Sequence, residues 1–403
     1  MSELYDVIII GGGSGGMSAG VYAARGKMKT LILEDKRNTG GQAATTSEME
    51  NYPGILEATG PQLMDMFRDH CSKFGVEFAR GLVTDISIAE DGFIKTLKTN
   101  KGEEYQTKSI IIATGATPRI LGIKGEAEFR GKGVSYCATC DADFYEELDV
   151  VVVGSGNTAV EESVFLTKFV NKVTMIVLHD QGILDADRTA QEQAFANDKI
   201  EFVWNSVVEE ICGDELVNGV KLKNLKTGEI TEMSTDGVFM FVGTVPKTDF
   251  VKELIELTPQ GYVITNEKQE TSVPGIFAAG DVTDKFLRQV VTAAGDGAVA
   301  AVAADRYIEE EESWRKSVAE FDGTAMVAFW NPLSKESLDV INELEVHCKD
   351  QPDQRVVTID TYKSQNIANR FNVKEVPVVI RFDAGQEAKR VNVKDIAELE
   401  TLY

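Results

Sequence analysis

Two uninterrupted apolar runs stand out in the pattern of the chain, at residues 5–10 and 150–153. Each reads as a buried parallel strand. Each also runs directly into glycines and then into a small-residue segment with helical spacing. The first continues into Gly11, Gly13 and Gly16, spaced G-x-G-x-x-G, a helix over 17–24 and a strand over 30–33 that ends in Glu34. This is the layout of a dinucleotide site. It combines a tight turn, a close approach of backbone to pyrophosphate, a helix N-terminus aimed at the phosphates and a carboxylate for the ribose hydroxyls. The second run repeats the turn with Gly154, Gly156 and Ala159, where alanine still permits close helix–strand packing. Its helix begins at Val160, and its next strand, 172–176, leads into Val177, Leu178, His179 and Asp180.

Between these folds the pattern changes period. Residues 81–108 and 200–243 read as hairpin material, with turns expected at 90–92 and 100–102. The stretches Gly40-Gly41-Gln42 and 50–54, which includes Asn51, are loop-forming. A strand over 110–113 meets Thr114-Gly115, a crossover point into another domain. A turn and strand over 271–281 end in Gly280-Asp281. Arg288, Gln289 and Val290 open an alanine-rich helix reaching Tyr307. Four glutamates at 309–312 break that pattern and read as a linker. Beyond them a strand (325–330), an amphipathic helix (334–346), a strand (355–359), a helical stretch (367–371), a strand after Val376-Pro377, a hairpin turn at Ala384-Gly385 and a short closing helix describe a small α/β domain.

Cys137 and Cys140, separated by two residues, lie between the two dinucleotide folds. Such a pair can close a small disulfide ring and lowers the pKa of one thiol, making the thiolate that attacks disulfides. A zinc site is the alternative, but it needs a second ligand pair, which Cys71, Cys212, Cys348 and the three histidines do not form. A dithiol between two dinucleotide folds points to electron transfer through a flavin, and Asp281 can accept a ribityl hydroxyl of FAD.

Composition narrows the setting. At 403 residues the chain is long enough for two or three domains, and 43% hydrophobic content supports sizeable cores. The N-terminus carries no basic segment ahead of its strand and most of the five cysteines are isolated, so a cytoplasmic protein is expected, without a membrane span. A net charge of −24 argues against nucleic acid and anionic membranes as partners. From Ser313 onward 12 basic residues nearly balance 15 acidic ones, so the acidity lies in the first 312 residues, where it reads as a solubility device.

Over roughly residues 3–310 the chain resembles the low-molecular-weight thioredoxin reductases. The resemblance rests on Gly11 to Gly16, Gly40-Gly41-Gln42, residues 50–54, Cys137 to Asp141, Gly154 to Ala159, Gly280-Asp281 and Arg288-Gln289-Val290. It implies an α/β protein with two Rossmann-like domains, one split by the other. Residues 1–116 and 247–312 form an FAD-binding domain, and 117–246 form a pyridine-nucleotide-type domain carrying the dithiol. It also implies that Cys140 faces the flavin, that Cys137 attacks a thioredoxin-like protein substrate, and that Asp141 is the acid/base residue, although an aspartate there also suits a helix N-cap. FAD contacts fall on Gly11, Gly13, Gly16, Glu34, Gly41, Gln42, Asn51, Asp281, Arg288, Gln289 and Val290. A homodimer is implied, as is rotation of the inserted domain on hinges near 116–117 and 243–247.

Two departures stand against that resemblance. The family holds the 2′-phosphate of NADPH with a His-Arg-Arg run, where this chain has Val177-Leu178-His179. NADH, NADPH and a protein donor such as ferredoxin therefore all stay open, with Asp180 a hint of a ribose contact and Arg188 a displaced phosphate ligand. Residues 320–403 look like a thioredoxin domain, with Phe329-Trp330 and Val376-Pro377, its proline expected to be cis, in the right places. Ser334 and Ser337 stand where that fold carries its two cysteines, so the domain cannot relay electrons by thiol exchange and reads as a docking or stabilising module. A flavin-bound redox sensor or scaffold is the reading of a different class, and the intact Cys137–Cys140 pair argues against it.

Overall fold

A computed structural model describes residues 3–37, 39–45, 49, 51–349 and 351–403; Glu50, part of the 50–54 motif, lies outside them. The first apolar run becomes the strand Leu4–Ile10, which pairs in parallel with Thr30–Glu34 on one side and Glu104–Ile112 on the other. The second half of Glu104–Ile112 also takes Ile276–Ala278 as a parallel neighbour, although the two are far apart in sequence. Glu77–Arg80, parallel to Thr30–Glu34, and the hairpin strands Val83–Ile88 and Lys95–Thr99 complete this seven-stranded sheet. The helix Ser14–Arg25 covers one face, and its buried side, Met17, Ala19, Val21 and Ala23, is small enough for the Val290–Trp314 helix to pack against it.

The second apolar run forms the middle of a five-stranded sheet, Ile200–Val203, Lys172–Ile176, Asp149–Val153, Gly237–Met240 and Val134–Ser135, all parallel. This corrects the expectation of hairpins throughout 200–243. The central strands Ser206–Gly213, Val217–Asn224 and Ile230–Ser234 are antiparallel, while the outer two join the parallel sheet. Burial explains the split, because Gly237–Met240 is buried at every position and needs cover on both faces. The chain enters and leaves this region through a two-stranded ribbon, Ala116–Pro118 against Thr244–Pro246.

The four glutamates expected as a linker instead continue the helix, which runs unbroken from Val290 to Trp314. Glu311 is 2% exposed and pairs with Arg370, and Glu312 pairs with Lys108 at 2.5 Å, so neither is a bare charge in a spacer. Trp314 closes the helix inside the next core, 4.9 Å from the ring of Phe371 and edge-on to Phe382 at 5.4 Å. That core backs a four-stranded sheet in the order Gln354–Asp360, Thr324–Trp330, Val378–Asp383, Gln386–Asn392. The Val376–Pro377 bond is cis. Ser334 caps the Lys335–Cys348 helix by accepting from the Ser337 amide at 3.1 Å.

Candidate functional site

The glycine turn after Leu4–Ile10 is shaped by backbone contact. A Cβ on Gly16 would lie 1.9 Å from the Gly11 carbonyl oxygen, and one on Gly11, at φ +107°, would lie 2.4 Å from that of Ala113. Gly13 faces open space within 4 Å, which leaves room for a phosphate against the helix N-terminus. Glu34 reaches back from the end of the second strand and accepts from the Gly12 amide at 2.8 Å. A cleft of about 1330 Å³ opens above this turn. It is lined by Gly11, Gly13, Glu34, Gly41, Gln42, Asp281, Arg288, Gln289 and Val290, and also by Cys137, Cys140 and Asp141. The residues expected to hold the flavin and those expected to carry the thiols therefore share one cavity. Gly16 serves the turn from behind, and Asn51 joins through Gln289, to whose Oε1 its Nδ2 donates at 3.2 Å.

Three observations test whether the cleft fits FAD. Asp281 Oδ1 is buried with no hydrogen-bond partner, and burial raises the Asp281 pKa, the state of an acceptor that lacks its donor. The glycine turn admits no side chain at Gly11 or Gly16, and Glu34 stands where an adenine ribose is read. The residues fit: Gly11, Gly13 and Glu34 would hold the ADP half, and Asp281 a ribityl hydroxyl. Arg288 differs from expectation in one respect. Its guanidinium lies 4.2 Å over the Tyr262 ring and donates to the carbonyls of Asp281 and Thr283, so it braces the Asp281 loop.

Cys137 and Cys140 are joined in a disulfide, S–S 2.06 Å, at the start of the one-turn helix Ala138–Asp141. Asp141 accepts a 2.6 Å hydrogen bond from Ser135, whose hydroxyl also takes the Cys137 amide at 3.1 Å. Burial pushes the Asp141 pKa up, Ser135 opposes that, and nearby Asp143 adds to it. A carboxyl so placed can hold a proton beside the sulfurs. Its side chain makes no cap bond, so the N-cap alternative fails.

Three contacts were not foreseen from the sequence. Gln289 Nε2 donates to Thr139 Oγ1 at 3.0 Å, joining the Val290–Trp314 helix to the disulfide turn, and Thr139 Oγ1 lies 3.4 Å from Cys137 Sγ. Glu162, on the helix Asn157–Leu166, faces the same turn. Its Oε2 is buried without a partner, and its pKa is pushed up to about 7 by burial first, then by Glu161, with the Thr139 amide opposing. The available signal was spacing: Glu162 lies three residues past buried Ala159 and shares its face. Asp185, in the loop after Lys172–Ile176, accepts from Ser155 Oγ and pairs with His179 Nε2, both at 2.7 Å.

The second glycine turn repeats the first. A Cβ on Gly154, at φ +136°, would meet the Phe241 carbonyl oxygen at 2.3 Å, Gly156 faces open space, and Ala159 is fully buried. Asp180 pairs with Lys226 and Arg188 with Glu192, both at the exposed surface.

Fold and site together define a flavoprotein disulfide oxidoreductase of α/β class with two Rossmann-like dinucleotide folds. A family model described as pyridine nucleotide-disulphide oxidoreductase matches residues 5–297. The chain belongs to that family and, within it, to the thioredoxin reductases. It is 49% identical over 316 residues to a thioredoxin reductase of Peptoclostridium acidaminophilum, a match covering 77% of this chain and 98% of that one. A Bacillus subtilis thioredoxin reductase is 44% identical over 321 residues, 79% of this chain and 100% of that one. The crystal structure of thioredoxin reductase from Streptococcus pyogenes is 44% identical, covers 77% of this chain and 99% of its own, and superposes with a TM-score of 0.71. The Lactococcus lactis thioredoxin reductase in its FR conformation, at 45% identity and coverage of 76% and 99%, superposes with a TM-score of 0.55.

Proposed function

We propose that this chain reduces the disulfide of a thioredoxin-like protein, with Cys137 as the attacking thiol and Cys140 as the thiol nearer the flavin. The observation that carries this reading is the shared cleft, in which the Cys137–Cys140 disulfide faces the glycine turn and Asp281. When bound, FAD supplies the two-electron carrier between the donor and the disulfide. Two electrons and two protons convert Cys137–Cys140 to a dithiol, and Asp141, its pKa raised, holds a proton at Oδ. The Cys137 thiolate then attacks the partner's disulfide, forming a mixed disulfide and expelling one partner thiolate. Cys140 attacks Cys137 Sγ, releasing the reduced partner and restoring the original disulfide.

In this reading residues 1–116 and 247–312 bind FAD and 117–246 carry the dithiol. The inserted part turns on the ribbon Ala116–Pro118 and Thr244–Pro246 to expose the thiols, because one pose cannot serve both flavin and protein. The two TM-scores at nearly equal identity support two arrangements of the same parts among relatives. Residues 320–403 act as a thioredoxin-like module without its cysteine pair, docking or stabilising, and the protein works as a homodimer in the cytoplasm. Serine variants test the roles. Cys140→Ser should trap a mixed disulfide with thioredoxin through Cys137. Trapping only in Cys137→Ser would reverse the assignment, and trapping in neither would overturn the reading.

A further inference from the structure

The two dinucleotide folds of this chain can be read against each other. Register places Leu33 opposite Ile10 and Ile176 opposite Val153, so the counterpart of Glu34 is Val177, which is fully buried. The second fold therefore lacks a carboxylate at the end of its strand. The middle residue of its turn is Ser155, where the first fold has Gly12. In the first fold Gly12 receives the Gly40 amide on its carbonyl at 2.7 Å and gives its own amide to Glu34 at 2.8 Å. In the second, Ser155 receives the Asp185 amide on its carbonyl at 2.9 Å and gives its hydroxyl to the Asp185 carboxylate at 2.7 Å. A carboxylate thus reaches the middle of each glycine turn, in one case from the strand end and in the other from the following loop.

We infer that Asp185 is the specificity-determining carboxylate of the second site, selecting a nicotinamide dinucleotide whose adenosine ribose carries a free 2′-hydroxyl and rejecting one with a 2′-phosphate. This rests on the proposed reductase reading and names its donor. A ribose diol donates to a carboxylate, whereas a phosphate dianion is repelled by it and needs an unpaired cation. Ser155 and His179 hold Asp185 below the usual carboxylate range and leave its charge in place. Among the described residues around it, Lys226 is paired with Asp180, the exposed Arg188 is paired through Nε with Glu192, and the Asp187 side chain caps the Arg188–Phe195 helix, so a 2′-phosphate would have to draw a cation away from an acidic neighbour.

The test uses the full FAD-loaded chain and two readouts. Binding of ADP-ribose and 2′-phospho-ADP-ribose by calorimetry reports the site without turnover, and anaerobic flavin bleaching by NADH and NADPH reports function. The expected result is at least a tenfold preference for ADP-ribose and for NADH. Asp185→Asn should weaken both by about ten- to a hundredfold, from loss of one charge-assisted hydrogen bond, and leave the 2′-phosphorylated compounds unchanged or better. A preference for the 2′-phosphate forms, or an unchanged ratio in Asp185→Asn, overturns the inference. So does bleaching by reduced ferredoxin with neither fragment bound, and that outcome leaves the reductase reading intact. Failure of the chemically reduced protein to pass electrons to thioredoxin sinks the reductase reading instead.

Discussion

Glu162 offers the sharpest test of the electrostatics around the disulfide. Its carboxyl ionises near 4.5 in the unfolded chain and at about 7 in the folded one, because its burial on the inner face of Asn157–Leu166 opposes the charge. The folded state thus prefers the protonated acid. Its stabilising effect is complete below the unfolded value and is lost as pH rises through the folded value. At about 1.4 kcal/mol per pKa unit, a difference of about 2.5 units makes this loss about 3 kcal/mol at most between pH 4.5 and 8. Glu162→Gln keeps the shape and removes the titration. Denaturant unfolding of the oxidised, FAD-loaded protein at pH 5, 6, 7 and 8 should give a wild-type midpoint that declines across the series. The variant should decline less, so that the two separate progressively and the variant is the more stable at pH 8. Parallel curves would refute the argument and mean that Glu162 finds solvent or a cation when it ionises. The same substitution should flatten the pH dependence of the dithiol's midpoint potential near neutrality, since a group titrating beside the sulfurs exchanges protons with their redox change.

Further expectations concern parts that meet across the molecule. Arg370→Ala removes the ion pair of buried Glu311, leaving Lys95 as its nearby cation, and should cost up to about 3 kcal/mol, seen as a lower Tm; Glu311→Gln in the same chain should restore much of it. Gly16→Ala, whose Cβ would sit 1.9 Å from the Gly11 oxygen, should yield protein without bound flavin, read as loss of visible absorbance after purification. Gln289→Ala removes the hydrogen bond to Thr139 and should leave the disulfide turn freer to depart from the cleft, measured as faster alkylation of Cys137 after reduction with FAD retained. Unchanged alkylation would show that the bond does not hold the turn in place.

Local pattern and distant pairing were unequally legible. Both glycine turns could be read because their chemistry is local: strand, turn and helix follow one another directly, in the first fold with the acid within about thirty residues, and sterics fix their order. The Cys137–Cys140 pair could be read for the same reason. The assignment of 200–203 and 237–240 failed because apolar β runs look alike whether they pair with a neighbour in a hairpin or with a distant parallel strand, and only the sheet decides. The 309–312 run misled because charge pattern reports exposure only when no partner waits. Arg370, fifty-nine residues away from Glu311, turns one of those glutamates into a core residue. Asp185 was hidden by its position, since the expectation for a ribose ligand fell at the strand end and this carboxylate arrives from the loop beyond it.

The Val290–Trp314 helix ties these features into one constraint on the proposed module at 320–403. Its N-terminus, at Gln289, touches the disulfide turn, and its C-terminus, at Trp314, is buried in the core of the four-stranded sheet. Twenty-five residues at about 1.5 Å each put roughly 37 Å between those ends. Trp314, Glu311–Arg370 and Lys108–Glu312 fix the far end to both bodies it joins, so the sheet is not carried on a tether. The rotation proposed for residues 117–246 on their ribbon would leave this helix behind, because it packs on Ser14–Arg25 in the other part. A direct relay from Cys137 into the same chain's terminal sheet would therefore have to span the length of the helix and end at Ser334 and Ser337. Ser334 spends its side chain capping a helix, and Ser337 is buried at the helix start. Distance and chemistry both argue against a relay role for the tail, in keeping with the docking or stabilising module proposed for residues 320–403.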